Sequence, residues 1–352
     1  MKKNNLFIII TVYTLSLFLF IDFILGEKFL KKIGFIYQED IYRVKNYHYE
    51  YSLKENLKTD FANWGNNYYT LCTDSRGFKF DCLEKEKKHY QIAFIGDSFT
   101  EGIGLPYENT FVGQFKIKSN LDVVNLGVVS YSPSIFLKKI KYLINNKIIS
   151  FDHLIVAIDL TDLEDDWSRK ENKTINKIKK NNSNVKFNLK YFLAMHFPVT
   201  YLISKKVNWF IKLNILKSIN VEHLDYSLNK ASWTYMDNYP KLNEKIELNI
   251  DNMNEIYSFL KKKNIKFSIL IYPHQASILF DKKTSLYKKI WKDFCKNKCY
   301  KFIDAFTVFF VELEDSSKKK IMSKYFIKGD PHFNISGNNV ISTILIKEIF
   351  QL

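Results

Sequence analysis

Five short, continuous apolar runs constrain the fold of this 352-residue chain more than any other feature. A run that is apolar throughout is typical of a parallel β-strand buried on both faces. The runs lie at residues 91–96, 122–127, 153–159, 266–273 and 300–306, and helical patterns lie at 132–146, 244–263, 284–297 and 336–350, the last with Ser336 as its N-cap. Strands that alternate with helices favour right-handed βαβ units. The sequence therefore predicts an α/β protein with a central parallel sheet and helices on both faces.

The N-terminus carries a different kind of apolar segment. A basic start is followed by an uninterrupted apolar run over residues 6–25, which contains only one charged residue, Asp22, near its far end. A helix of about 20 residues crosses a hydrocarbon core of about 30 Å. No small-residue cleavage pattern follows the run, so we expect a retained transmembrane anchor over residues 1–26 rather than a cleaved signal peptide. Lysines flank both ends, and we favour a cytoplasmic N-terminus with the remaining chain outside.

The rest of the chain divides into two predicted parts. Residues 27–88, rich in Tyr and Asn, are interpreted as a stalk and an irregular, strand-containing arm, and residues 89–352 as the main domain. A basic insertion interrupts that domain at about 163–240. Between residues 168 and 220 it holds 12 Lys or Arg and one Glu. Such a segment suits contact with anionic lipid or an acidic glycan, or it is a helical cap with solvated lysines.

Charge alone does not indicate a nucleic-acid partner. The net charge is +16, but of the 53 basic residues only Arg43, Arg76 and Arg169 are arginines. Arginine is the preferred residue for bidentate contacts with phosphates and bases. We therefore expect no nucleic-acid partner.

The four cysteines fall into two close pairs, Cys72 with Cys82 and Cys295 with Cys299. An even number in close pairs is typical of disulfides in an oxidising compartment. Free buried thiols are the alternative, and the spacing is a poorer match to a four-cysteine zinc site. The pairs favour an extracytoplasmic location.

The first apolar run ends in "FIGDSFTEG", which places Ser98 at the carboxyl end of a strand and the start of a helix. A serine hydroxyl there becomes nucleophilic once a base takes its proton. Gly96 permits a tight turn, and the Ser98 amide at a helix start can donate to a developing oxyanion. The rival interpretation, a phosphate-binding turn, requires a glycine spacing and a lysine that this stretch lacks.

A second stretch, "KGDPHFNISGN", supplies the groups that such a serine needs. Asp330 and His332 lie two residues apart in a loop just before the last helix. A histidine can accept the Ser98 proton, and a carboxylate can hold the imidazole in the required tautomer. His274, in "LIYPHQASI", is either a pocket residue or a structural loop histidine.

Together these stretches resemble the SGNH, or GDSL-type, hydrolase superfamily over residues 90–350. "GDSFTEG" resembles its first block, "NLGVVSYSP" its second and "DPHFN" its last. The resemblance implies a flavodoxin-like three-layer sandwich with Ser98, His332 and Asp330 as the catalytic residues. It implies an oxyanion hole from the amides of Ser98 and Gly127. In the third block, "IDLTD" places Thr161 where the superfamily has an asparagine that donates to the oxyanion, so the resemblance implies the Thr161 hydroxyl as a third oxyanion donor.

The segment "YTLCTDSRGFKFD" further resembles membrane-anchored SGNH proteins of the alginate-acetylation type. The resemblance implies a serine enzyme that removes or adds O-acetyl groups on an envelope glycan, without metal or cofactor. It implies a single-pass protein of the cytoplasmic membrane with its domain on the periplasmic or extracellular side. A membrane-bound acyltransferase is a candidate partner. The alternative is a non-catalytic glycan-binding or assembly module that retains the fold.

Overall fold

The structure is a computed structural model, and it describes residues 3–32, 42–64, 67–179, 196–204, 207, 228–314 and 316–351. The chain forms two compact units, one of Met1–Ile41 and Lys179–Leu224, the other of Tyr42–Ile178 and Asp225–Leu352. The predicted stalk falls largely on residues 33–41, which lie outside the described residues. Residues 180–195, 205–206 and 208–227 of the basic insertion, about half of it, lie outside them as well.

The first unit is built on one long helix, α1 (Lys3–Lys32). Its stretch Ile8–Gly26 has a mean hydropathy of 2.4 and is almost entirely exposed. Among the described residues, this helix alone is long and apolar enough to cross a membrane, a requirement that a signal sequence also meets. A short helix at 198–204 contacts α1 through Asp22.

The second unit contains a five-stranded, fully parallel sheet with the order β6-β5-β7-β8-β9. Its strands are β5 (His89–Ile95), β6 (Val123–Asn125), β7 (Ser150–Ile158), β8 (Lys266–Ile271) and β9 (Lys301–Asp304). In sequence order this is 2-1-3-4-5, the flavodoxin-like arrangement. All five strands predicted from the apolar runs are confirmed. The central strand β7 is buried from Leu154 to Ile158 because it has a strand on each side and helices on each face.

Helices flank this sheet in two layers, and the predicted three-layer sandwich is confirmed. One layer pairs α3 with α12, and the other pairs α4 with α7. The helices of this unit are α2 (Ser98–Glu101), α3 (Phe111–Ser119), α4 (Pro133–Asn145), α5 (Asp162–Lys179), α6 (Leu228–Ala231), α7 (Leu242–Lys262), α8 (Gln275–Phe280), α9 (Leu286–Cys295), α10 (Phe306–Glu314), α11 (Lys318–Tyr325) and α12 (Ile335–Phe350). Short 3₁₀ turns occur at Tyr107–Asn109 and Ser232–Thr234.

One predicted detail is wrong. The N-cap of α12 is Asn334, whose side chain accepts a hydrogen bond from the amide of Gly337 at 3.0 Å. Ser336 lies inside the first turn of the helix instead. Asparagine is as good an N-cap as serine, and Asn334 lies directly before Ile335, the first residue of the helix.

The arm before β5 consists of two antiparallel hairpins and belongs to the same unit as the sheet. The first pairs β1 (Arg43–Asn46) with β2 (Glu50–Leu53), and the second pairs β3 (Lys58–Trp64) with β4 (Asn67–Cys72). A disulfide joins Cys72 at the end of β4 to Cys82. A second disulfide joins Cys295 to Cys299 after α9. The four cysteines thus pair as the sequence suggested.

Candidate active site

Ser98 is placed by the turn that leaves β5. Asp97 caps α2 by accepting a hydrogen bond from the amide of Phe99 at 3.0 Å, so Ser98 becomes the first residue of that helix. Gly96 cannot be replaced by a larger residue, because a Cβ there would lie 2.1 Å from the hydroxyl oxygen of Thr100 and 2.7 Å from the Ala157 carbonyl oxygen. Ser98 remains partly exposed among buried neighbours. Its hydroxyl is therefore fixed in position and still reachable from solvent.

The loop between α11 and α12 brings Asp330 and His332 to this serine. The His332 Nε2 lies 2.7 Å from the Ser98 Oγ, and the His332 Nδ1 lies 2.5 Å from an Asp330 carboxylate oxygen. The loop holds its own shape, because Ile327 donates to the His332 carbonyl at 2.9 Å and accepts from the Asp330 amide at 3.0 Å. Ser98 was predicted from one stretch of sequence, and His332 and Asp330 from another. The structure joins the three residues by consecutive hydrogen bonds.

The charges around Ser98, His332 and Asp330 suit a histidine that acts as a base. Burial opposes a charged imidazole, but the charge and hydrogen bond of Asp330 outweigh it and raise the pKa of His332 above its ordinary value. Burial raises the pKa of Asp330, but the charge of His332 and three hydrogen bonds outweigh burial and lower this pKa below its ordinary value. Asp330 is therefore ionised at neutral pH, and it stabilises the imidazolium that forms when Ser98 is deprotonated.

Trp64 also belongs to this site, and sequence reasoning did not identify it. Its indole N–H donates to the second Asp330 carboxylate oxygen at 2.7 Å, and its ring meets the His332 ring edge-on at 5.6 Å. Phe99 contacts the same imidazole at 4.8 Å between ring centroids. The side chain of Gln275 donates to the Asp330 carbonyl at 2.6 Å. Both oxygens of the carboxylate are thus occupied, which fixes its orientation towards the histidine.

Two of the three predicted oxyanion donors already donate hydrogen bonds to neighbouring side chains. The Gly127 amide donates to the side-chain oxygen of Asn125 at 2.9 Å, and the Thr161 hydroxyl donates to Asp159 at 2.6 Å. The Ser98 amide stands at the first position of α2, where a helix offers its N–H no internal acceptor. The structure therefore places Ser98 as a ready oxyanion donor, whereas Gly127 and Thr161 already donate to their own neighbours.

Three buried carboxylates lie behind Ser98: Asp97, Asp159 and Asp162. Burial and the nearby Asp159 raise the pKa of Asp97 to about 8. Burial and Asp97 raise the pKa of Asp162 well above its ordinary value. Burial and mutual repulsion therefore raise the pKa of both Asp97 and Asp162 and favour their protonated forms. In the part of the chain that the structure describes, no group of three or more His, Cys, Asp and Glu side chains is arranged to hold a metal ion.

His274 is a structural residue. It is 1% exposed, and its Nδ1 caps α8 by accepting a hydrogen bond from the Ala276 amide at 3.1 Å. Of the two interpretations left open by the sequence, the structural one fits this contact.

No protein-family model and no curated protein matches this sequence. Among solved structures, matches include the psychrotrophic esterase EstA from Pseudoalteromonas sp., at 10% identity and a TM-score of 0.39 over 75% of this chain and 98% of that one. A catalytic mutant of Axe2, an acetylxylan esterase from Geobacillus stearothermophilus, matches at 11% identity and 0.41 over 76% and 96%. A putative lipolytic protein of the G-D-S-L family from Desulfitobacterium hafniense matches at 12% and 0.40 over 74% and 98%. Because these identities are 10–12% and the TM-scores 0.39–0.41, the chemistry of the present chain is argued from its own residues.

Proposed function

We propose that this protein is a membrane-tethered serine acyl-ester enzyme of the SGNH type. The observation that carries the proposal is the continuous hydrogen-bonded chain from Ser98 through His332 to Asp330. A partly exposed serine in contact with a buried imidazole that is itself fixed by a carboxylate is the arrangement that activates a hydroxyl nucleophile.

The geometry of these three residues supports the following course of reaction. The Ser98 Oγ attacks the ester carbonyl carbon as its proton passes to the His332 Nε2. The charge that develops on the carbonyl oxygen faces the Ser98 amide at the start of α2. Collapse of the tetrahedral intermediate breaks the ester C–O bond, and His332 returns the proton to the departing alcohol. Water or a second hydroxyl, deprotonated by His332, then attacks the acyl carbon. The bond between that carbon and the Ser98 Oγ breaks, and His332 returns the proton to Ser98.

We propose an O-acetylated envelope glycan as the substrate, with a sugar hydroxyl as the acceptor if the reaction is transfer. The proposal for substrate, acceptor and side of the membrane rests on the motif resemblance, and the two disulfides and the apolar stretch Ile8–Gly26 suit an extracytoplasmic domain on an anchor. A membrane-bound acyltransferase that supplies acetyl groups is proposed as a partner for the transfer reaction.

The test is acetate release from p-nitrophenyl acetate and from O-acetylated xylo-oligosaccharides by the full-length protein in detergent. We expect Ser98→Ala and His332→Gln each to lose about 10³-fold or more of the parent rate. Matched controls are Ser323→Ala and His89→Gln. Both side chains are exposed, and their recorded partners are Lys320 for Ser323 and Ser150 and Asp152 for His89, so both variants should keep the parent rate. Equal rates for Ser98→Ala and Ser323→Ala would contradict the proposal.

A second candidate function is a non-catalytic glycan-binding module. The observation that favours it is the internal hydrogen bonding of two of the three predicted oxyanion donors, Gly127 and Thr161. Losing one such donor commonly costs about 10²–10³ in kcat. If the parent protein releases no acetate but binds the acetylated oligosaccharide in calorimetry, this second candidate replaces the first.

A further inference from the structure

Asp22 occupies an unusual place in the first unit. It lies within the apolar stretch Ile8–Gly26 of α1, four residues before its end. At 1.5 Å per residue this is about 6 Å inside the end of the stretch. Its neighbours Ile21, Phe23 and Ile24 are 48–56% exposed, whereas Asp22 is 3% exposed. A carboxylate inside the hydrocarbon is costly unless it is paired, so its partners matter.

Those partners belong to the short helix at 198–204. The Asp22 carboxylate accepts hydrogen bonds from the backbone amides of Val199 at 2.9 Å and Thr200 at 2.7 Å, and from the Thr200 hydroxyl at 2.6 Å. The amides of a first helical turn have no internal acceptor, and proline is favoured at the first position. Pro198 occupies that position. Asp22 thus caps a helix that lies some 175 residues further along the chain.

Packing around Asp22 joins the same two segments. A Cβ at Gly26 would lie 2.1 Å from an Asp22 carboxylate oxygen and 3.1 Å from Pro198. The Phe23 ring contacts the rings of His196 at 5.9 Å and Phe197 at 5.7 Å. The small residue lets the two segments approach closely, and the aromatic contacts add His196 and Phe197, just before Pro198, to the interface.

We propose that residues 196–204 are a second membrane-embedded element, which lies in the bilayer interface against α1 and is held there by Asp22. The hydrogen bonds hold the segment at the depth of Asp22, and its Ile203 side chain is 50% exposed, as are most apolar side chains of α1 around that depth. The partner of these exposed side chains is lipid.

This inference rests on the proposed membrane tether, and one experiment separates the two. Full-length protein with Ile203→Cys, labelled with an environment-sensitive fluorophore, is reconstituted in vesicles of phosphatidylcholine and phosphatidylglycerol. All four native cysteines are in disulfides, so the new thiol is the single labelling site. Leu83→Cys, at a position 91% exposed, is the control.

We expect the label at residue 203 to emit at shorter wavelength than the label at 83 and to be quenched by brominated lipid. Asp22→Leu, which keeps the anchor apolar but removes the cap, should move the residue-203 label into water. Asp22→Asn, which can still accept from the amides, should retain most of the shift.

Three results would overturn the inference. If the protein floats with the vesicles but the residue-203 label reports water, α1 is a membrane anchor and residues 196–204 are not embedded in the membrane. A shielded label that brominated lipid does not quench indicates a protein partner instead of lipid. Protein that does not float with the vesicles removes the tether and this inference together.

Discussion

At the scale of single residues, the site is completed by Trp64, which no short-range pattern reveals. Its hydrogen bond with Asp330 joins positions 266 residues apart, so neither spacing nor composition could identify it. Ser98, His332 and Asp330 were predictable because each lies in a short stretch whose local chemistry is recognisable. Thr161 was recognised as a replacement for asparagine, but its bond to Asp159 depends on the turn after β7 and could not be read from the sequence.

Trp64→Phe tests whether Trp64 positions the carboxylate. The phenyl ring keeps the edge-on contact with His332 but removes the indole N–H, and a hydrogen bond to a charged group contributes roughly 1.5–3 kcal/mol. Taking the lower end, we expect kcat to fall about tenfold or more with KM little changed. Without the indole, Asp330 interacts more strongly with the imidazolium, so the acid limb of the pH–rate profile should move to higher pH. A variant with parent kcat and an unmoved acid limb would show that Trp64 only fills space.

Asp97→Asn tests the buried carboxylate behind Ser98. The pKa of Asp97 is about 8 in the folded protein and about 3.9 in an unfolded chain. Between these values the folded state holds a proton that the unfolded state has lost, so stability falls as pH rises, by at most about 1.4 kcal/mol per pH unit. Asparagine keeps the cap on α2 but cannot ionise.

The measurement is the free energy of unfolding in urea at pH 5 and pH 8. We expect the parent to lose stability between them and Asp97→Asn to lose distinctly less. Asp152→Asn, at a side chain 66% exposed, is the control and should follow the parent. Parallel pH dependence in Asp97→Asn and the parent would rule out Asp97 as the titrating group.

At the scale of elements, the central sheet was predictable and the hairpins of the arm were not. β5, β7 and β8 are buried on both faces, so their apolar runs are continuous and stand out in the sequence. The arm is instead stabilised by contacts with distant residues. Tyr51 donates to the Val129 carbonyl at 2.7 Å, and Lys79 donates to the Gly102 carbonyl at 2.8 Å. Contacts of this kind leave no periodic pattern.

The ion pair between Arg43 of β1 and Glu101 of α2 gives the arm a measurable role. The Glu101 side chain is 1% exposed, accepts from Arg43 at 3.2 Å and also accepts from the Val129 amide at 2.7 Å. Arg43→Ala leaves this carboxylate buried without its cation, which costs about 3–5 kcal/mol of unfolding free energy. Lys138→Ala breaks a half-exposed pair with Glu50 and should cost about 1 kcal/mol or less. Equal losses for the two variants in urea unfolding would contradict this role for the arm.

At the scale of the whole molecule, the sheet topology explains why one edge collects the chemistry. The carboxyl ends of parallel strands meet there, and the order 2-1-3-4-5 opens a crevice beside β5. Ser98 follows β5, Thr161 follows β7, and the second hairpin of the arm brings Trp64 to the same loop as His332. The arm, which the sequence indicated as irregular and strand-containing, is thus part of the unit that forms the site.

Intact mass spectrometry after fluorophosphonate treatment decides whether Ser98 is an activated nucleophile. Full-length parent protein in detergent is compared with Ser98→Ala and Ser323→Ala. We expect one phosphonyl adduct, with loss of fluoride, on the parent and on Ser323→Ala, and none on Ser98→Ala. An unmodified parent that retains its two disulfides and its folded circular-dichroism spectrum would rule out an activated Ser98, as would an adduct that persists in Ser98→Ala.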